Sequence, residues 1–153
     1  MQLIWGDTMP TLMGKINIIA RCARLYRNDK LKKYGIHGTM DSIILQICRN
    51  PGISQEEIAS RVCIDKSNVA RKIAKLEKEG YVSRKPNETD RRIQNVFPEE
   101  KATELYCEIR SILAEWNEYV TQGMSAEEVE KALVLLDTIY EKSKKYAKER
   151  EEL

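Results

Sequence analysis

The sequence predicts a mostly α-helical protein with a small β-hairpin wing, in which a winged helix-turn-helix core is flanked by long N- and C-terminal helices. Three observations predict this fold. Apolar residues recur at helical spacing through most of the chain, two short capped helices follow each other closely in the middle, and residues 81–97 change to the patterning of two short strands.

Two helices are predicted before the central motif. Apolar residues at helical spacing indicate a helix over residues 11–33, and Gly35 ends it. A second helix is predicted over residues 39–49, because the sequence Asn50-Pro51-Gly52 that follows favours a turn. Both helices carry an apolar face and are expected to pack in the core.

The central pair of helices is marked by its caps. Ser54, with a glutamate three residues later, has the pattern of a capping box and opens a third helix that ends near Val62. Asp65 is expected to cap a fourth helix that ends at Gly80. The small residue Ala59 lets the two helices approach closely, which predicts a helix-turn-helix.

A hairpin and two long helices complete the chain. Residues 81–84 and 93–97 are predicted strands, and the turn-forming residues 86–90 lie between them. A fifth helix is expected from Pro98, and Gly123 breaks it. Ser125 repeats the capping-box pattern and opens the last helix.

Composition excludes several classes of function. The four cysteines occur singly and there is one histidine, so we expect no metal and no cofactor. The chain has no Gly-rich phosphate loop and no G-x-S-x-G sequence, which argues against an enzyme. The N-terminal ten residues lack the pattern of an export signal, and no apolar run could span a membrane, so the protein is expected to be cytoplasmic. The thiols are expected to be reduced and mostly buried.

The distribution of charge is compatible with double-stranded DNA as the partner, and the helix-turn-helix with its basic hairpin favours that partner. The chain carries a net charge of only +2, but residues 65–75 contain four basic residues and one acid. In a helix-turn-helix the second helix enters the major groove, and a basic hairpin beside it can reach the minor groove. Ser67, Asn68 and Arg71 suit base edges, whereas lysines suit phosphates. The candidate DNA contacts are Lys66, Ser67, Asn68, Arg71, Lys72, Lys75, Arg84, Lys85, Arg91 and Arg92.

The motifs in this region resemble those of the MarR family of transcriptional regulators. The resemblance implies a homodimeric repressor that binds a palindromic operator, with Asp90 bracing the wing by pairing with an arginine and Arg92 entering the minor groove. Pro98-Glu99 departs from the Leu-Thr that is usual at the end of the wing, so the start of the fifth helix stays open. The matching segments are Ile53-Ser54-Gln55-Glu56-Glu57-Ile58-Ala59, Asp65-Lys66-Ser67-Asn68-Val69-Ala70-Arg71-Lys72-Ile73, Leu76-Glu77-Lys78-Glu79-Gly80-Tyr81-Val82 and Asp90-Arg91-Arg92.

The pattern of apolar residues and the resemblance to the MarR family both predict a division of the chain into three parts. Residues 39–98 are expected to form the DNA-binding domain. Residues 1–38 and 99–153 are expected to form dimerisation helices, because they offer more apolar surface than one small winged core can cover. A two-fold dimer would place two recognition helices about 34 Å apart, one turn of DNA.

Three further interpretations stay open. Many family members release DNA when a small aromatic molecule binds, and by rough position the candidate lining residues here are Tyr34, His37, Met40 and Trp116, although core packing explains these residues equally well. Some relatives sense oxidants through a cysteine near the start of the first helix. That position falls close to Met13 here, and Cys22 lies about two and a half turns later, although the two arginines beside it would activate an exposed thiol. Alternatively, the chain is a helical adaptor that uses its winged domain to bind protein, in which case charge reversal on the basic helix would leave binding intact.

Overall fold

The computed structural model describes residues 11–151, apart from the side chains of residues 148, 150 and 151. The prediction about an export signal concerns residues 1–10, which lie outside this range. The elements in chain order are α1 (Leu12–Leu31) with a 3₁₀ turn (Lys32–Tyr34), α2 (Met40–Arg49), β1 (Ile53–Ser54), α3 (Gln55–Val62), α4 (Lys66–Lys78), β2 (Val82–Pro86), β3 (Gln94–Pro98), α5 (Glu100–Thr121) and α6 (Ala126–Glu151). The predicted mostly α-helical winged fold is therefore confirmed.

The helix caps form as the sequence indicates. The hydroxyl of Ser54 accepts from the backbone N–H of Glu57, and the carboxylate of Glu57 accepts from the backbone N–H of Ser54, which completes the capping box of α3. The first helix is shorter than predicted, because its last turn tightens into the 3₁₀ turn before Gly35 adopts a φ of 72°. α5 begins at Glu100, since Pro98 is still paired in the sheet.

The wing belongs to a sheet of three antiparallel strands in the order β1-β3-β2. The predicted hairpin is confirmed, with Arg84 opposite Val96 in its register. β1 was not predicted: Ile53 pairs with Val96, and the N–H of Gly52 donates to the carbonyl of Val96 at 2.9 Å. This short strand fastens the start of the helix-turn-helix to the base of the wing.

One continuous apolar core holds the winged domain. Its centre is formed by α2, α3 and α4, and the end of α1 and the first half of α5 close it from outside. The carboxylate of Asp41 lies inside this shell, with a side chain only 3% exposed, and accepts from Nε of Arg27 at 2.7 Å. The core residues with no exposed surface are Met40, Ile43, Ile44, Ile47, Ile58, Val69, Ile73, Leu76, Val96 and Ala102.

The long flanking helices leave apolar side chains exposed in the single chain. On α6, Leu133, Val134, Leu135 and Leu136 are between 47% and 68% exposed. Exposed apolar residues also occur on α1, including Ile18 and Ile19, and near the end of α5. Large exposed apolar patches are uncommon on monomers, so helices with this many exposed apolar side chains are suited to an interface.

The expectation that the thiols are mostly buried is wrong for the single chain. Cys22, Cys63 and Cys107 are exposed and Cys48 is half-buried, because the three exposed thiols lie on the outer faces of α1 and α5 and at the end of α3. Over residues 11–151, no three metal-ligating side chains are grouped to hold an ion. In the same range, every helix is too short or too polar to cross a membrane.

Candidate nucleic-acid interface

The helix-turn-helix is held together by the small apolar wedge that its sequence predicts. Ile58 and Ala59 of α3 are buried against Val69 and Ile73 of α4. Cys63 ends α3 with a φ of 53°, a left-handed conformation that β-branched residues rarely adopt. The turn therefore redirects the chain within three residues and presents the start of α4 outward.

Asp65 caps α4 and positions the residues predicted to read bases. Its Oδ1 accepts from the hydroxyl of Ser67 at 2.6 Å and from the backbone N–H of Asn68 at 2.7 Å. These hydrogen bonds, chiefly the one from Ser67, hold the pKa of the Asp65 carboxyl below its ordinary value. The hydroxyl hydrogen of Ser67 is thus committed to the cap, while its oxygen keeps its capacity to accept from DNA.

The outer surface of α4 carries the predicted contacts at helical spacing. Ser67 and Arg71 are exposed and four residues apart, and Asn68 and Lys72 repeat this spacing one position later. Lys66 is exposed and forms an ion pair with Glu56 of α3. The structure therefore brings these five α4 residues into one polar surface, which we call the α4 surface.

Lys75, the sixth predicted contact on this helix, is engaged within the protein. Its Nζ lies 2.8 Å from Nε2 of His37 and 3.8 Å from Oε1 of Glu79. The first of these distances is within hydrogen-bonding range. The contact fastens the loop before α2 to the recognition helix, a link that sequence spacing could not indicate.

The tip of the wing is stiffened by side-chain hydrogen bonds. Asp90 accepts from the backbone N–H of Arg92 at 3.0 Å and from its guanidinium at 3.0 and 2.9 Å. This pairing lowers the pKa of Asp90 from its ordinary value. Asn87 accepts from the backbone N–H groups of Thr89 and Asp90, which closes the turn. Arg92 is nevertheless 91% exposed, so its guanidinium is accessible beyond the wing.

The other basic residues of the wing differ in their surroundings. Arg91 is exposed at the tip. Lys85 is exposed, and its Nζ lies 5.2 Å from the centre of the Phe97 ring. Arg84 is half-buried and donates from Nε to Oε2 of Glu77 at 3.0 Å, where sequence reasoning expected a contact to the DNA backbone. Arg84 thus faces α4 rather than open solvent.

The four candidate ligand residues do not line one cavity. Met40 has no exposed surface, because it lies on the inner face of the first turn of α2 and packs in the core. Tyr34 lines a cleft of 520 Å³ beside Tyr81 and the start of α5. Trp116 is half-buried and packs against Tyr26 and Tyr119, with ring centres 5.3 and 5.9 Å apart. His37, as described, contacts Lys75.

Comparisons with known proteins identify the family. The MarR family profile matches residues 42–94, which span the helix-turn-helix and most of the wing. An uncharacterised HTH-type transcriptional regulator of Bacillus subtilis, YybA, is 30% identical over 131 residues, covering 86% of this chain and 87% of that protein. This chain belongs to the MarR family. It is therefore a transcriptional regulator, and its family and relatives are not enzymes.

Solved structures extend the likeness of this MarR-family protein to nearly its whole length. A MarR transcriptional regulator from Methanosarcina mazei Go1 is 32% identical, with a TM-score of 0.82 over 88% of this chain and 97% of the other. A putative MarR-family regulator from Listeria monocytogenes, solved in complex with 26mer DNA, is 25% identical, with a TM-score of 0.87 over 94% and 96% of the two chains. The flanking helices are therefore part of the shared fold.

Proposed function

We propose that this regulator binds double-stranded DNA as a homodimer and represses transcription from palindromic operators. The observation that carries the proposal is the α4 surface, which lies on the same domain as the exposed guanidinium of Arg92, itself paired with Asp90. Side chains of these types read base edges in the major groove and enter the narrow minor groove. The Listeria relative bound to 26mer DNA supports the same use of the fold.

Dimerisation is supported by the exposed apolar residues of the flanking helices. Leu135 of α6 and Ile18 of α1 are among those left without cover in a single chain. We assign residues 1–38 and 99–153 to the dimer interface and residues 39–98 to DNA binding; residues 1–10, 152 and 153 lie outside the described part of the chain. The core of the winged domain also takes in the end of α1 and the first half of α5. A two-fold pair would then offer two copies of α4 to successive turns of one face of the duplex.

We also propose that a small aromatic ligand releases the DNA by binding beside Trp116. This ring and those of Tyr26 and Tyr119 form a cluster between α1 and α5, the helices that would join the dimer to the winged domain. Aromatic molecules stack favourably on such faces. Tyr34, His37 and Met40 lie apart from this cluster and are less suited to the role. Quenching of Trp116 fluorescence by a candidate ligand in a Trp5→Phe variant, together with loss of bound DNA, tests this step.

The experiment that tests the main proposal is selection of bound duplexes from a random DNA library with purified protein at moderate salt. Enrichment of a palindrome with half-sites about 10 base pairs apart supports a dimeric, sequence-specific reader. Folded, dimeric protein that enriches no sequence contradicts it and favours an adaptor that binds protein. Reversing the charges of Arg71 and Lys72 separates the two functions, because only DNA binding depends on them.

A further inference from the structure

We infer that Glu77 and Arg84 form a strut that fixes the angle between the recognition helix and the wing, so that Arg84 is a positioning residue and not a phosphate contact. The inference rests on the proposed DNA-binding function. It adds a pair of residues that sets the angle at which the wing meets the recognition helix. It also changes the role that the sequence indicates for Arg84, whose charge alone favours the DNA backbone.

The contact itself is well formed and partly sheltered. Both Nε and Nη2 of Arg84 donate to the same carboxylate oxygen of Glu77. The Arg84 and Glu77 side chains are 31% and 36% exposed, whereas that of Arg92 at the tip is 91% exposed. The hydrogen bonds lower the pKa of Glu77 and raise that of Arg84, so both groups stay charged at neutral pH.

The strut spans the only sharp bend between α4 and β2. Gly80 turns the chain with a φ of 77°, and the N–H of Tyr81 closes the helix end on the carbonyl of Leu76 at 2.9 Å. Glu77 lies before this bend and Arg84 lies after it, seven residues along the chain. A bond across a bend adds resistance to opening and closing of the angle, beyond that of the vertex itself, where the N–H of Glu99 donates to the carbonyl of Tyr81 at 2.9 Å.

Small changes of that angle are amplified at the tip. Arg84 lies near the base of the wing, and the tip residues lie about five residues further along, or about 16 Å at 3.3 Å per residue. A rotation of 10° at the base therefore moves the tip by about 3 Å, on the order of the length of a hydrogen bond. A loose base would separate Arg92 from the groove it is proposed to enter.

The alternative role of Arg84 makes the opposite prediction for Glu77. If Arg84 bound a phosphate, the carboxylate of Glu77 would compete with the DNA for the guanidinium and repel the backbone. Neutralising Glu77 would then tighten DNA binding. If the pair is a strut, neutralising either member weakens binding, and neither change removes a released counterion.

The test compares E77Q, R84Q and the double variant with wild type, and uses K85Q as the matched control for loss of one exposed wing cation. For a strut, E77Q and R84Q each weaken binding of an operator duplex about three- to fivefold, the range expected for a partly exposed ion pair. The double variant is no weaker than either single one, and the salt slope is unchanged. Tighter binding by E77Q, or a slope about one unit flatter for R84Q, overturns the inference.

A second measurement judges the strut without DNA. In the free protein, NMR order parameters of the amides at residues 87–93 are expected to fall below the rigid value of about 0.85 in E77Q and R84Q, and to stay unchanged in K85Q. Unchanged order in all three variants overturns the strut. If wild-type protein binds no duplex while the wing loses order in E77Q and R84Q but not in K85Q, the proposed function is contradicted and the strut is supported.

Discussion

Arg27 and Asp41 join α1 to α2 through a hydrogen-bonded ion pair of 2.7 Å, in which the carboxylate is buried and the guanidinium lies at the protein surface. The neighbouring residue Asn28 accepts from the backbone N–H of Gly38 at 2.9 Å. Through these two contacts the end of the long N-terminal helix holds the loop that carries His37, and His37 in turn contacts Lys75 of α4. α1 and α4 are thus connected through the loop before α2, which two contacts link to the α1 side and one contact links to α4.

Replacing Arg27 by alanine is expected to lower the free energy of unfolding by about 2–3 kcal/mol, because it leaves a buried carboxylate without its charged partner. R27K is the matched control, since it keeps a cation but lacks the Nε hydrogen bond. Its free energy of unfolding should fall less than that of R27A. Urea unfolding followed by circular dichroism measures both. Equal stability of wild type and R27A would mean that water replaces the guanidinium at no cost.

Arg92→Ala is expected to weaken operator binding about tenfold without unfolding the protein. The side chain is almost fully exposed, so its loss removes the proposed minor-groove contact and the pairing with Asp90 but no core packing. Binding is measured by fluorescence anisotropy with a labelled duplex. K131A is the control, because Lys131 is an exposed cation of α6 that also forms an ion pair. Affinity that is unchanged in a stable R92A protein would remove Arg92 from the interface.

Lys72→Gln is expected to flatten the dependence of log affinity on log salt by about one unit, since one fewer counterion is released from the DNA. The residue is half-buried on the α4 surface, four residues from Asn68. The affinity is measured for the operator and for an unrelated duplex, and both should weaken alike, because phosphates carry no sequence information. A loss confined to the operator would instead make Lys72 a reader of bases.

Asp65→Asn is expected to leave the free energy of unfolding at neutral pH nearly unchanged. In acid, the variant is expected to lose less stability than wild type. Asparagine is as good a cap as aspartate. The folded pKa of Asp65 is lowered, so its stabilising effect is complete above the ordinary value of 3.8 and disappears as the pH falls through the lowered value. Unfolding free energies measured between about pH 2 and pH 5 test this difference. Identical pH profiles for D65N and wild type would contradict it.

Leu135→Glu is expected to raise the dissociation constant of the dimer at least about tenfold, because it places a charge in an apolar interface. Leu135 is 68% exposed in the single chain, so the winged domain should stay folded. Sedimentation velocity over a range of protein concentrations measures the change. Lys142→Glu, an exposed charge change on the same helix, is the control. An unaltered dimer in L135E would place the interface elsewhere.

Features governed by neighbouring residues could be predicted from the sequence. The capping box at Ser54, the cap at Asp65 and the turn at Gly80 all depend on residues within one helical turn, and each forms as expected. The wedge between α3 and α4 followed from apolar spacing alone. The resemblance to the MarR family rested on these same segments.

Features that depend on packing between distant segments could not be predicted. β1 has only two residues, too few to show a strand pattern, and forms because β3 offers it a partner. The partner of Arg84 and the contact between His37 and Lys75 are set by how elements pack, as is the burial of Met40. A count of basic residues in the sequence gives the sign of the charge on a surface. Only the structure shows which of those basic side chains are already paired with carboxylates of the protein.

The edges of the sheet limit how copies of this chain can associate. One edge is β1, only two residues long, and the other is β2, which carries Arg84, Lys85 and Pro86. Short, charged and proline-bearing edges do not template further strands. A protein that exposed both apolar helices and a long, uncharged strand edge could also aggregate by adding strands of further copies to its sheet. In the proposed dimer, self-association would be confined to the helices, where a two-fold contact closes on itself and a pair of chains would not grow into a fibre.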